Sequence, residues 1–283
     1  MLLEDVPLFK TVIGLPVAAL PFNAQIALIL KWSQGLASKV VCIANASILM
    51  KAYGDPVFVS VLRNADLVKP DGIPLVRMLK LMGASQQKRV AGLDLLLALC
   101  KQVSTERISI FFLGSQTSIL EKMLAKLEQD FPSLQIAGIE PLPFRPLSED
   151  DDRAVIQKVN ESGCGLVFVS LGCSQQEAWM FKHKHRVRAV MVGLGGTFPV
   201  YAGIHDRSPR MFRSMWLGCL YRLVQEPRRL WDCYRSTMPT FIWLAARQLL
   251  TVDRAGSTQK SSESCNDPAL FHQNSVLCQF RLA

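Results

Sequence analysis

No run of about 18 uninterrupted apolar residues occurs in the chain, so a membrane-spanning helix has no candidate segment. LPVAALPFNAQIALIL is broken by Pro21 and Asn23, and FIWLAARQLL is short and carries Arg247. The N-terminus MLLEDVPLFK carries Glu4 and Asp5 where an export signal wants basic residues, so an export signal is not expected. Phosphate and nucleotide fingerprints are absent too. GLGGTF is not GxGxxG, no GxxxxGK[ST] loop occurs, and no GxSxG elbow marks a serine hydrolase. NAD and ATP enzymes therefore recede. The eight cysteines form no CxxC pair, and several lie in apolar runs such as VVCIA and LLLALCKQV. They read as small hydrophobes, reduced in a cytosolic protein. Histidine is scarce: among the four, His183 and His185 are two apart, diverge on a helix and cannot share a metal. A solvated helix end is expected there.

What the 283 residues do contain is 49% hydrophobic residues, 19% charged ones and a net charge of +9. A chain this apolar has core enough to fold unaided and is not mainly disordered. Short runs rich in β-branched residues recur, each followed by a helix-length segment. KVVCIA, RISIFFLG, SLQIAGI, GLVFVSLG and VRAVMVGLGG are the predicted strands. SILEKMLAKLEQDF places Ile119, Met123, Leu124 and Leu127 on one helical face. Strands apolar on both faces, alternating with amphipathic helices, predict an α/β fold with a mainly parallel sheet covered on both sides. The pattern changes after Gly203. Residues 1–203 read as the α/β core, 204–250 as a helical arginine-rich appendage, and 251–283 as a disordered polar tail. Between residues 205 and 254, nine arginines face four acids.

In such a sheet, ligands bind where loops leave the carboxyl ends of the strands. The predicted loops there carry Asn45, the KPDGIP segment with Asp71, Gly114-Ser115-Gln116, the run Gly172 to Glu177, and Gly193, Gly195 and Gly196. Glycine lets a backbone approach a ligand closely, although a glycine at a strand–helix junction is also an ordinary turn residue. Asp71 has two readings: a turn aspartate bonded to its own backbone, or a general base in the crevice. Asp150, Asp151 and Asp152 follow Ser148 at a helix start and read as capping acids.

VVCIANASIL, LRNADLVKPDGIPLV, KRVAGLDLL, FFLGS, LVFVSLGCSQQEAWM, VGLGGTF and RSPRMF…LYRLVQEPRRLW follow one another in an order that resembles the WecG/TagA/CpsF glycosyltransferase family, from about Ile13 to Tyr234. The resemblance implies a Rossmann-like core with a basic helical appendage. It implies inverting transfer of an N-acetylmannosamine-type sugar, without a metal or other cofactor, from a UDP donor to a polyprenyl-diphosphate-linked sugar in envelope or extracellular polysaccharide synthesis. Asp71 then matches the general base and Asn45 a residue that orients the sugars. Gln176 and Glu177 match a pair beside the nucleotide, and Gly114, Gly195 and Gly196 match turns around the donor. Arg207, Arg222, Arg228 and Arg229 match positions suited to diphosphate or anionic headgroups. The implied partners are the donor, the lipid-linked acceptor, an anionic membrane surface at the inner face of the plasma membrane, and a second copy of the chain; nucleic acid is not among them. Departures such as Ile43 and Gly218 allow an alternative in which the fold binds nucleotide sugar or lipid without turnover.

Overall fold

The computed structural model describes residues 9–142, 147–205 and 227–260. The chain divides into two compact units, Met1–Ala245 and Ala246–Ala283. The first unit opens with an antiparallel hairpin, β1 (Phe9–Val12) and β2 (Leu15–Ala18). Ile13 and Gly14 both take positive φ, 47° and 78°, as a two-residue hairpin turn of the primed kind requires. The predicted strands did not include this pair, because each is only four residues long and Pro16 interrupts the second. Arg63 donates from Nε and Nη2 to the Gly14 carbonyl, tying the turn to the helix that bears it.

After α1 (Phe22–Gln34) the chain alternates as expected. β3 (Lys39–Ala44) leads through α2 (Ala46–Gly54) and α3 (Pro56–Arg63) to β4 (Leu67–Pro70). α4 (Ile73–Leu81) and α5 (Gly92–Glu106) precede β5 (Ile110–Gly114), then α6 (Thr117–Asp130) and β6 (Ile136–Glu140). α7 (Glu149–Glu161), β7 (Leu166–Ser170), α8 (Gln175–His183), β8 (Val190–Gly193) and α9 (Thr197–Tyr201) complete the run. Six strands form one parallel sheet in the order β4-β3-β8-β7-β5-β6. The α/β reading with a mainly parallel, Rossmann-like sheet holds.

Alternation along each strand divides the core. Val40, Cys42 and Ala44 of β3 face the layer of α2, α3, α4, α7 and α8. Val41 and Ile43 face α1, α5, α6 and α9. Phe112 anchors that second layer, with ring centroids 5.5 Å from Phe168 and 5.7 Å from Phe198. Burial raises the thiol pKa of Cys42 and Cys164 and pushes that of Cys100 up to about 12, so these behave as inert core residues. Cys173 is the exposed exception among the described thiols.

At the amino-terminal edge of the sheet, Asp66 accepts from Lys39 Nζ at 3.0 Å and the Val40 amide at 2.9 Å, and pairs with Lys184 Nζ at 2.9 Å. Burial alone would raise its pKa, but the Val40 amide and the two ammonium groups outweigh it and hold the carboxyl below its ordinary range. Asp66→Asn is expected to cost about 2 kcal/mol at neutral pH in denaturant unfolding. A depressed carboxyl contributes above the unfolded pKa, about 3.9, and loses that contribution as pH falls through the lower folded value. The stability curves of wild type and variant therefore converge in acid.

His183 corrects the expectation of a solvated helix end. It is wholly buried, because α8 turns Gln176, Met180 and His183 to the sheet on one stripe. Its ring lies 4.6 Å from that of Trp179, and its Nε2 lies 3.3 Å from Asp152 Oδ2. Asp152, last of the three capping aspartates, is turned inward to accept from the Trp179 indole at 2.9 Å. Ser148 and Asp151 form the expected reciprocal cap of α7.

A final helix, α10 (Pro227–Lys260), contains Pro239. Within the first unit, its Phe241 and Ala245 join the layer of α2 and α8. Trp231, Ile242 and Trp243 are exposed. The helix continues to Lys260, beyond residue 251, where the polar tail was expected to begin. No helix among the described residues is long and apolar enough to cross a membrane.

Candidate active site

All six strands point their carboxyl ends to one edge, and α2 leaves β3 on one face while α9 leaves the adjacent β8 on the other. A crevice opens where neighbouring connections part in this way. Asn45 stands at the end of β3 as the cap of α2, its Oδ1 accepting from the Ile48 amide at 3.0 Å. That bond orients the side chain and leaves its Nδ2 group as the donor end.

Asp71 follows β4 immediately, and its amide donates to the Ala44 carbonyl at 2.7 Å. Oδ1 of Asp71 accepts from the Gly72 amide at 2.7 Å. The turn reading is thus realised, and it is compatible with the other: one oxygen fixes the carboxylate while the second remains for chemistry. Gly72, at φ 88°, supplies the left-handed turn that starts α4 and brings its backbone beside Asn45. Asn45 and Asp71 are therefore neighbours.

The second group gathers around the end of β8. Gln176 is 5% exposed, and its Nε2 donates to Glu177 Oε1 at 2.7 Å. This fixes the amide so that its Oε1, buried and without a hydrogen-bond partner among the described residues, faces the Gly195 turn. Glu177 was expected beside the nucleotide with Gln176, but it is wholly enclosed. Its Oε2 accepts from the Ser174 amide at 2.6 Å, so one oxygen braces the loop and the other Gln176. Burial raises the Glu177 carboxyl pKa against the opposing bonds from Gln176 and Ser174 and the Lys51 charge. Lys51, on α2, donates to Ser174 Oγ at 2.6 Å and so joins the two groups of residues.

Gly114 ends β5 at φ 86°, where a Cβ would lie 2.5 Å from the Ser170 carbonyl oxygen. Ser170 in turn donates to the Gly195 carbonyl at 2.9 Å. Gly114 and Gly195 are thus joined through Ser170, and Gln176 lies against the Gly195 turn on the same edge. Among the described residues, nothing lies within 4 Å of where a Cβ on Gly196 would stand.

Sequence reasoning missed Lys69, Lys51, Ser170 and Thr197. Lys69 is nearly wholly buried. A lysine inside the apolar run LVKP was the available signal. Thr197 lies so close to the start of α5 that a Cβ on Gly92 would stand 2.6 Å from its Oγ1. Arg207 and Arg222 lie outside the described residues, and Arg228 and Arg229 fall in the first turn of α10. Among the described residues, no three His, Cys, Asp or Glu side chains converge as a metal site. A groove of about 470 Å³ between α1 and α5, lined by Phe22, Ile26, Leu30, Ala98 and Glu106, lies along the later part of α5, away from the strand ends.

Comparison with known proteins adds to this geometry. Residues 10–255 match the family described as the glycosyl transferase WecG/TagA/CpsF family. An N-acetylglucosaminyldiphosphoundecaprenol N-acetyl-β-D-mannosaminyltransferase of Bacillus spizizenii is 35% identical over 187 residues, covering 66% of this chain and 71% of the relative. The Bacillus subtilis protein of the same name is 29% identical over 191 residues, covering 67% and 73%.

Proposed function

Because the chain belongs to the WecG/TagA/CpsF family of glycosyltransferases, we propose that it moves an N-acetylmannosamine-type sugar from a UDP donor to a polyprenyl-diphosphate-linked sugar, with inversion and without a metal. The observation that carries this reading is Asp71, held at the carboxyl end of β4 beside Asn45 and on the same edge as Gln176 and Gly195. Inversion is a single displacement. The acceptor hydroxyl attacks the anomeric carbon, its proton passes to Asp71, and the bond to the UDP oxygen breaks with its electron pair leaving on UDP. Asn45 orients the sugars through Nδ2. Gln176 Oε1, an acceptor in need of a donor, takes an N–H or O–H of the nucleotide, and the turn of Gly195 and Gly196 lets backbone approach the donor.

Charge on the leaving diphosphate is met by backbone amides and arginine, and Arg207, Arg222, Arg228 and Arg229 suit the lipid diphosphate or anionic headgroups, guanidinium being fitted to bidentate phosphate contact. The aromatic and aliphatic side chains that α10 exposes suit an interfacial region, with arginines toward headgroups. These features support a peripheral enzyme working at the inner face of the plasma membrane, on polyprenyl-linked acceptors for envelope or extracellular polysaccharide.

A panel of UDP sugars, each offered with a short polyprenyl-diphosphate-linked N-acetylglucosamine, tests the reading. UDP-N-acetylmannosamine is expected to turn over, and EDTA is expected to leave the rate unchanged. UDP binding with no product from any donor would favour the module without turnover, and inhibition by EDTA reversed by a divalent cation would contradict metal independence.

A further inference from the structure

Lys69 stands one residue before the end of β4, in register with Ile43 of β3, and is 1% exposed. Its Nζ donates to the Val90 carbonyl at 2.6 Å, one residue before the Ala91 cap of α5. Two carboxylates act on the ammonium: Asp71, two residues on, and Asp94, in the first turn of α5. Asp94 Oδ2 also accepts from the Ala91 amide at 3.3 Å. Burial lowers the proton affinity of Lys69, and the two acids oppose it. Lys88 and Arg89, on the segment leading into α5, are exposed.

A buried ammonium is a costly choice for a strand interior. Its desolvation offsets most of what its attractions return, and an apolar side chain of similar length would fill the same space without that cost. Stability therefore does not account for a lysine here. Its location does: it is the one described cation enclosed directly behind the Asp71 turn, and it joins that turn to the start of α5, where Gly92 packs against Thr197.

We propose that Lys69 is a positioning residue for the transfer, its enclosed ammonium serving as the counter-charge to Asp71 and tying β4 to the start of α5. The proposal rests on Asp71 being the base. Substrate does not touch Lys69; it acts through the carboxylate and the Val90 carbonyl.

The test is the pH dependence of kcat/KM for Lys69→Met and Asp94→Asn beside wild type and Asp71→Asn, with melting temperatures. Removing the cation makes a neighbouring carboxylate hold its proton more tightly, so the acid limb of the Lys69→Met profile is expected to move up. Removing the Asp94 charge has the opposite sign, and the limb of Asp94→Asn is expected to move down. Lys69→Met, which leaves the Val90 carbonyl and both carboxylates without their partner, is expected to melt below wild type, so the moved limb carries the distinction. A merely structural lysine would lower rate and melting temperature together without moving either limb. The Asp94→Asn profile reads the coupling however Lys69→Met folds. Unmoved limbs with an inactive Asp71→Asn overturn the role of Lys69 alone, whereas transfer by Asp71→Asn overturns the base assignment beneath it.

Discussion

Asp71→Asn is expected to lower the transfer rate by about 10²–10⁴-fold, the range over which a positioned general base contributes. UDP affinity, read by titration calorimetry, is expected to stay within about twofold, since the donor contacts proposed here follow β7 and β8 rather than β4. Asparagine keeps the size of the side chain, and its Oδ1 can still accept from the Gly72 amide, so the turn into α4 survives. What it loses is the capacity to take a proton. The substitution thus separates the two readings of this residue. A turn aspartate alone predicts nearly unchanged turnover, and a base predicts its loss with fold and nucleotide binding intact.

Gly114→Ala is expected to destabilise the protein by about 3 kcal/mol or more, through left-handed backbone strain and overpacking together. For a domain of this size that corresponds to a fall of about 6–12 °C in melting temperature. The new methyl would meet backbone, with the Ser170 carbonyl oxygen at 2.5 Å and its carbon at 2.9 Å, and Leu171 Cδ2 at 3.0 Å, at φ 86°. Backbone in the next strand of a packed sheet cannot swing aside as a flexible side-chain tip can. Gly196→Ala is the matched contrast, with an ordinary φ of −64° and nothing among the described residues within 4 Å of the new methyl. Its melting temperature is expected to stay within about 2 °C of wild type, while the KM for donor rises if backbone there lies against the ligand. A melting loss at Gly196 equal to that at Gly114 would remove the distinction between a packing glycine and a ligand-facing one.

The parallel sheet was legible because its strands are buried on both faces and its helices carry one-sided apolar stripes. KVVCIA and GLVFVSLG could be placed without knowing their neighbours, and the loops at their carboxyl ends followed from the fold class. Asn45 and Asp71 were legible as residues and not as a pair, since only the register of Ala44 with Pro70 brings them together. Glu177 and His183 illustrate what pattern alone misses. Both are polar residues at helical spacing that could face either way, and the packing of α8 on the sheet turned them inward. Lys69 escaped notice for the converse reason. Its neighbours in sequence are apolar, and the groups that give it meaning, Val90 and Asp94, come from a segment about 20 residues further on. The hairpin of β1 and β2 was too short for a period-two signal.

The anomeric configuration of the product tests the central claim most directly. With wild-type enzyme, an α-linked UDP-N-acetylmannosamine donor and a lipid-diphosphate-linked N-acetylglucosamine acceptor, the one-bond carbon–proton coupling at the new anomeric centre distinguishes the two outcomes. A single displacement assisted by Asp71 predicts a β-linked product throughout the reaction. An α-linked product would mean retention, and would contradict a mechanism built on one base at the end of β4.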